Sequence, residues 1–435
     1  MSAGLKAGQE LAVAVEATYG SPDPANYTSV AVGTLTFNRV TTLRKSIPGL
    51  VSAGEIPLYD ETTVGVSAAG QPPEIDMPYA AGGSTPVAVS RGDVAVDAKL
   101  TLPGSTAFAS TRLGEMLASS LGLLGKGAGT TQAVTAAVST TVYEVGAGDI
   151  GDTHPGDVVA WVGATGATEF ACVTSVNTGT NRVTVHPALS AAPQIADTIR
   201  LCSILYPVIG ARGATSLSWR YRDAARGILV TGSRLRRLEM AFAGGATSTA
   251  ELRMLFSGPF RGDIAGTTPS GGSAIGGGVT AKRYGAVISG ALSGSAPEAG
   301  ARTVYGVRSW EATIDVGLDE VGTVTASPIQ ATDQEVVSVD ASVRLRFADA
   351  QRSTLIGMLR AQTLSTWIFP MQGEGGKGCA LIIPGGYVEN VTGDTVEEER
   401  SFSEVVIRPG NGDIADTTGT PRASRNAHIM LAVVS

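Results

Sequence analysis

The chain has 435 residues and a formal net charge of −7, with 43% hydrophobic, 16% charged and 5% aromatic residues. This composition excludes a disordered chain, which needs low hydrophobicity and high net charge. The acidic balance, with no Lys/Arg run, excludes DNA binding by phosphate neutralisation.

At roughly 150 residues per domain the length suggests two or three domains. Ala, Gly, Thr, Val and Ser dominate, which favours β-strands joined by small-residue turns. The opening MSAGLKAGQELAVAVEATYG lacks a charged region followed by a long apolar core, so no targeting signal is expected, and no window approaches the roughly 18 consecutive apolar residues of a membrane span.

Taken in chain order, the alternation in LTFNRV (35–40) predicts a strand. Residues 41–86 follow as a long Gly- and Pro-rich excursion that still carries Leu43, Arg44, Ile47, Leu50, Ile56 and Leu58. A long loop with exposed aliphatics packs on something, its own domain or a neighbour. The strand-like VAVDAKL (94–100) then leads into TRLGEMLASSL (111–121), where Leu113, Met116 and Leu117 lie at the i, i+3, i+4 spacing of one helix face.

That strand–helix pair occurs again. VSVDASVRLRF (337–347) precedes STLIGMLRAQTL (353–364), in which Leu355, Met358 and Leu359 match Leu113, Met116 and Leu117 at a constant offset of 242 residues. A second echo follows in the same order. GILVTGSRLRRLEM from Gly227 matches GCALIIPGGYVENV from Gly378 at an offset of 151, and MLFSGPFRGD (254–263) faces VVIRPGNGD (405–413). Repetition at fixed spacing predicts an internal duplication, with all six helix residues as core positions.

The first copy is longer by 242 − 151 = 91 residues between its helix and its strand pair. Residues 129–204 alternate cleanly, with turns at Gly163–Gly166 and Asn177–Asn181, and predict a small β-barrel or sandwich inserted in a loop. AGTTPSGGSAIGGGVTA (264–280) reads as a flexible linker. RSWEATIDVGL (308–318) and SFSEVVIRP (401–409) read as strands. The expected fold is therefore mainly β: a first domain from 1–128 and 205–263, the insert at 129–204, the linker, and a second domain at 281–435.

Chemistry is sparse. His154, His186 and His428 lack ligand spacing, and Cys172, Cys202 and Cys379 form no C-x-x-C. QGEGGKG (372–378) fails as a phosphate loop because its glycine spacing is wrong and no Ser/Thr follows the lysine. RGD occurs at 91–93 and 261–263, and the second aligns with NGD at 411–413, as turn chemistry would. EEER (397–400) reads as a solvated strand edge or an acidic patch. No catalytic residue, metal or cofactor is expected, and the chain is not expected to be an enzyme.

The opening VAVEATYGSPDPANY, the two strand–helix–strand copies and the stretch TGSRLRRLEMAFAGG…LFSGPF resemble the major tail tube proteins of long-tailed (siphophage-like) bacteriophages, in the form with two fused tube domains. The resemblance covers most of 1–128 and 205–435; the insert departs from it. It implies two tandem β-sandwich or barrel domains, each with one flanking helix. It further implies homotrimeric, pseudo-hexameric rings stacked into a tube in the virion, with a tape measure protein and tail-end proteins as partners. Phage double-stranded DNA would pass without sequence-specific binding, aided by an acidic lumen. The loop residues Leu43, Arg44, Ile47, Leu50, Ile56 and Leu58 become candidates for ring-to-ring contact. Another virion structural part (a head–tail joining, tail terminator, distal tail or head-decoration protein) is the alternative. A secreted adhesin fits poorly with the missing signal peptide, and a carbohydrate-active enzyme with the scarce aromatics.

Overall fold

The structure is a computed structural model. It describes residues 10–22, 27–29, 34–36, 44–45, 56–57, 92–99, 101–103, 108, 111–125, 131–162, 168–209, 215–222, 226–243, 251–258, 260–265, 278–280, 283–284, 286–293, 296–323, 330–348, 351–372, 378–392, 395–397, 400–410 and 427–434. Among them the chain is mainly β, with a closed six-stranded barrel, a large sheet system and two α-helices.

One pattern of strand pairing occurs twice. Glu10–Val15 pairs with Leu217–Arg222, which pairs with the first half of the long strand Arg226–Ala243, whose other side takes Phe260–Ala265. The second half of Arg226–Ala243 pairs with Glu251–Gly258, which leads through Gly92–Lys99 to Thr34–Thr36. Later in the chain Val287–Ser293 pairs with Ser365–Gln372, then the first half of Gly378–Val391, then Met430–Val434. The second half of Gly378–Val391 pairs with Arg400–Pro409, which leads through Gln330–Ala348 to Val307–Thr323. In each set one long strand changes partners between its first and second halves.

The bulges repeat as well. Register shifts fall between Leu217 and Trp219 and again between Ser365 and Trp367. They also fall between Leu235 and Arg237 and again between Val388 and Asn390. A bulge bends a strand and increases its local twist, which lets one strand leave the first sheet and enter the second. Trp219 and Trp367 follow equivalent bulges and both are fully buried. Trp219 packs on Phe256 at 4.9 Å and Trp367 on Tyr305 at 5.2 Å between ring centroids.

Each set carries a helix. In α1 (Arg112–Ala118), Thr111 caps the N-terminus by accepting a hydrogen bond from the Gly114 amide at 3.0 Å. In α2 (Arg352–Ala361), the left-handed Gln362 ends the helix, and the Thr363 amide donates to the Met358 carbonyl at 3.1 Å, as helix C-caps do. Leu113, Met116, Leu117 and Leu355 are buried, and Met358 and Leu359 are half-buried against the same core.

Polar side chains tie the parts together. The buried Glu16 carboxylate accepts from the Ser216 hydroxyl at 2.6 Å, the Gly232 amide at 3.0 Å and the Gly20 amide at 2.8 Å. Gly232 has φ +67°, a conformation that suits glycine. The buried Arg234 guanidinium donates to the Gln334 carbonyl and lies 6.0 Å from the Tyr19 ring, linking the N-terminal segment to both strand sets.

Between α1 and Leu217–Arg222 the chain makes its detour. Leu121–Leu124 and Ser203–Pro207 pair as a stem, and Ser203–Pro207 also pairs with Met430–Val434 of the later set. The barrel runs in pairing order Thr131–Ala137, Val142–Val145, Arg182–His186, Thr168–Asn177, Val158–Val162 and Thr198–Leu201. Its turn at Asn177 is closed by the side-chain oxygen, which accepts from the Gly179 and Thr180 amides at 3.0 and 3.1 Å. The residues of the expected turn at 163–166 lie outside the described residues.

The barrel packs on the later set. Val158, Ala160, Phe170 and Cys172 form one apolar cluster with Ile288, Ile368, Ala380, Ile382, Met430 and Ala432. The alternate residues of those later strands, Val287, Trp367, Phe369, Cys379, Leu381 and Leu431, belong to the sandwich core. This sheet is therefore apolar on both faces, which explains the unbroken apolar run in GCALII. The Arg302 guanidinium bridges to Glu169 at 3.2 Å and donates to the Ala188 carbonyl at 2.6 Å, both in the detour.

Candidate assembly surfaces

No group of three or more His, Cys, Asp or Glu side chains converges on a possible metal position among the described residues. The three cysteines and His186 are buried and have packing roles. Burial pushes the Cys172 thiol up to about 12, and the Cys202 and Cys379 thiols also well above their usual range, which suppresses thiolate and hence reactivity. Burial pulls His186 down to about 4. Its ring lies where the barrel meets Gly290, so close that a Cβ on Gly290 would stand 2.6 Å from the imidazole. Arg261, Gly262 and Asp263 belong to a paired strand, as do Gly92 and Asp93; Arg91 and residues 373–377 lie outside the described residues.

The extended sheet offers a large polar face. Leu238, Met240, Trp310, Ala312, Ile314, Val343, Leu345, Val405 and Ile407 point into the core. Many of the intervening residues, which point away from it, are charged: Arg237, Glu239, Arg253, Glu311, Asp315, Arg344, Arg346, Glu404 and Arg408. Charges of both signs are paired within and across strands. Arg237 lies 2.9 Å from Glu239 and 3.4 Å from Asp315, and Arg253 lies 3.9 Å from Glu239. Arg408 reaches Glu389 at 2.8 Å and Asp340 at 2.9 Å. Hydrogen bonding to Glu389 and then Asp340 raises its already high pKa.

The two strand sets are joined edge to edge. Arg237–Ala243 pairs antiparallel with Ser309–Asp315, so the pairing runs unbroken from Thr34–Thr36 at one end to Gly378–Val391 at the other. Among the described residues, Thr34–Thr36 has a strand on one side only, as does the second half of Gly378–Val391. An unpaired edge presents a row of backbone donors and acceptors ready for another chain.

Of the loop residues expected to contact a neighbour, Leu43, Ile47, Leu50 and Leu58 lie outside the described residues. Arg44 and Ile56 stand in a short two-stranded ribbon, Arg44 opposite Pro57 and Lys45 opposite Ile56. The helix residues Leu113, Met116, Leu117, Leu355, Met358 and Leu359 serve the core and not a surface. Sequence reading missed the docking of the barrel and the seam. GCALII carries a signal for the first, since a run apolar at every position needs cover on both faces. Nothing local marks the second, because alternation says which face is buried and not which edge is paired.

No helix among the described residues is long and apolar enough to cross a membrane. No protein-family model matches the chain, and no curated protein matches it.

Proposed function

We propose that the chain is a structural virion protein, a tail tube subunit that self-assembles into stacked rings forming a channel for phage DNA. Each strand set is read as one tube domain, so three chains supply six wall domains in a pseudo-hexameric ring. The observation that carries this reading is the seam between Arg237–Ala243 and Ser309–Asp315: two similar strand sets already continue one sheet, and among the described residues both of its ends are open. A closed ring pairs every such edge and so removes them.

On this reading the polar face of the continuous sheet lines the channel. It carries arginines as well as carboxylates, and Arg237, Arg253 and Arg408 are paired with carboxylates across strands. Such a face offers few unpaired cations to phosphate, so DNA slides past without sequence-specific contact. The barrel lies across the facing sheet, on the side away from that polar face, which supports an outer position for it. A tape measure protein inside and tail-end proteins at the termini would be the partners.

Electron microscopy of the purified chain tests the reading. Stacked rings with three-fold symmetry and a pseudo-six-fold lumen are expected. Monomers alone would overturn it, and a single ring that never stacks would favour a head–tail joining, terminator, distal tail or decoration protein.

A further inference from the structure

We propose that the seam inside the chain is the template for the seam between chains. The open edge beside Gly378–Val391 of one copy takes the open edge of Thr34–Thr36 of a second copy, head to tail, with Thr395 opposite Thr36. This rests on the self-assembly reading above and adds the joining strands and their register.

The register follows from matching ladder positions in the two strand sets. The bulges at Leu235/Arg237 and Val388/Asn390 make Phe256 and Ile407 equivalent, since these residues pair with Leu235 and Val388. The same step along those two strands reaches Glu251 and Phe402. Glu251 pairs with Ala241, and Phe402 pairs with Thr395, so Thr395 holds the place of Ala241. On the other edge, Phe256 and Ile407 stand opposite Val94 and Val343. The next residues, Ala95 and Arg344, pair with Thr36 and Glu311, so Thr36 holds the place of Glu311. Within the chain Ala241 stands opposite Glu311. Between chains Thr395 therefore stands opposite Thr36.

The occupant is a second copy because the chain already contains the joint it needs. One strand of this kind pairs with the other kind in the internal seam, and among the described residues each kind is left once with an open edge. Pairing like edges with like would make a two-chain dimer and leave the other edges exposed. Head-to-tail pairing uses both and closes a ring wherever the rotation allows.

Disulfide trapping tests the register. Chains carrying Thr36→Cys and chains carrying Thr395→Cys are expressed together and separately, then oxidised; the native cysteines are buried and do not compete. The expected result is cross-linked dimers from co-expression and none from either variant alone. The double variant should give a ladder ending at the ring size. Cross-linking of Thr395→Cys alone would overturn the proposal in favour of like-with-like pairing. Rings seen by microscopy that cross-link through Thr36→Cys with Asn390→Cys, and not with Thr395→Cys, would overturn the register and leave self-assembly standing. Monomers by both microscopy and mass photometry would overturn the proposal together with the self-assembly reading beneath it.

Discussion

Arg237 and Asp315 face each other across the seam between the two strand sets, 3.4 Å apart and each about half exposed. One residue further along the seam, Leu238 stands opposite Ile314, and both are buried. The charged pair sets no large energy, because an exposed ion pair is worth about 0–1 kcal/mol. Arg237→Ala is expected to shift the urea midpoint only slightly, by less than about 1 kcal/mol in stability. Ile314→Ala, which empties a buried site, is expected to cost about 2–5 kcal/mol. Equal effects from the two variants would mean that the charges hold the seam as firmly as the packing does.

Two helical glycines should respond to alanine with opposite signs. In α1 a Cβ at Gly114 would lie 2.2 Å from the Phe108 carbonyl oxygen, whereas at Gly357 in α2 it would meet open space. Gly114→Ala is expected to destabilise, since backbone must move. Gly357→Ala removes a mid-helix glycine and is expected to stabilise by about 0.5–1 kcal/mol. Thermal melts of the two variants check this.

The pH dependence of His186 has a definite sign. Burial lowers its pKa from 6.5 to about 4, so the folded state holds the ring neutral while the unfolded chain binds a proton first as pH falls. Its contribution to stability is intact above pH 6.5 and is lost progressively from there down to about 4, on the order of 3 kcal/mol in all. Replacing His186 with Gln is expected to flatten the stability profile over that window, measured as the difference between wild type and variant in urea titrations. An unchanged slope would refute the assignment.

The barrel should come away from the later sheet when Gly290 gains a branched side chain. Gly290→Val drives carbon into the His186 ring and Pro187, at a cost of about 1–3 kcal/mol for overpacking. Cys172 and Cys202 are buried in that joint, whereas Cys379 faces the main core behind it, so the labelling of Cys172 and Cys202 by a thiol reagent reports its opening. Wild type is expected to react slowly and the variant several-fold faster, with the sandwich core still protected in hydrogen exchange.

Much of this architecture could be read from residue patterns, and the reasons differ by element. The i, i+3, i+4 spacing of Leu113, Met116 and Leu117 shows one helix face because helical side chains repeat every 3.6 residues. Alternation in RSWEATIDVGL separates Trp310, Ala312 and Ile314 from Glu311, Thr313 and Asp315, as a strand half-covered by core requires. The two bulges that bend Arg226–Ala243 leave no such mark, because the register shift depends on partners far away in the chain. The matching of Gly227 with Gly378 at an offset of 151 differs slightly from the alignment of the bulges, which sets Leu235 against Val388. The offset of 151 between Met254 and Val405 agrees with their shared positions opposite Val96 and Leu345.

The stem of the detour has a consequence for how the chain reaches its fold. Leu121–Leu124 and Ser203–Pro207 emerge from the ribosome long before Met430–Val434, the strand that completes their sheet. The barrel is built from local hairpins, closes with strands of its own and can form during synthesis, but its apolar flank of Val158, Ala160 and Phe170 must wait for the later strands that cover it. Nascent chains therefore carry a finished barrel with a sticky side. Crowded polysomes should favour its capture by a neighbouring chain, so that weaker initiation, which spaces the ribosomes apart, or lower temperature raises the yield of correctly closed molecules.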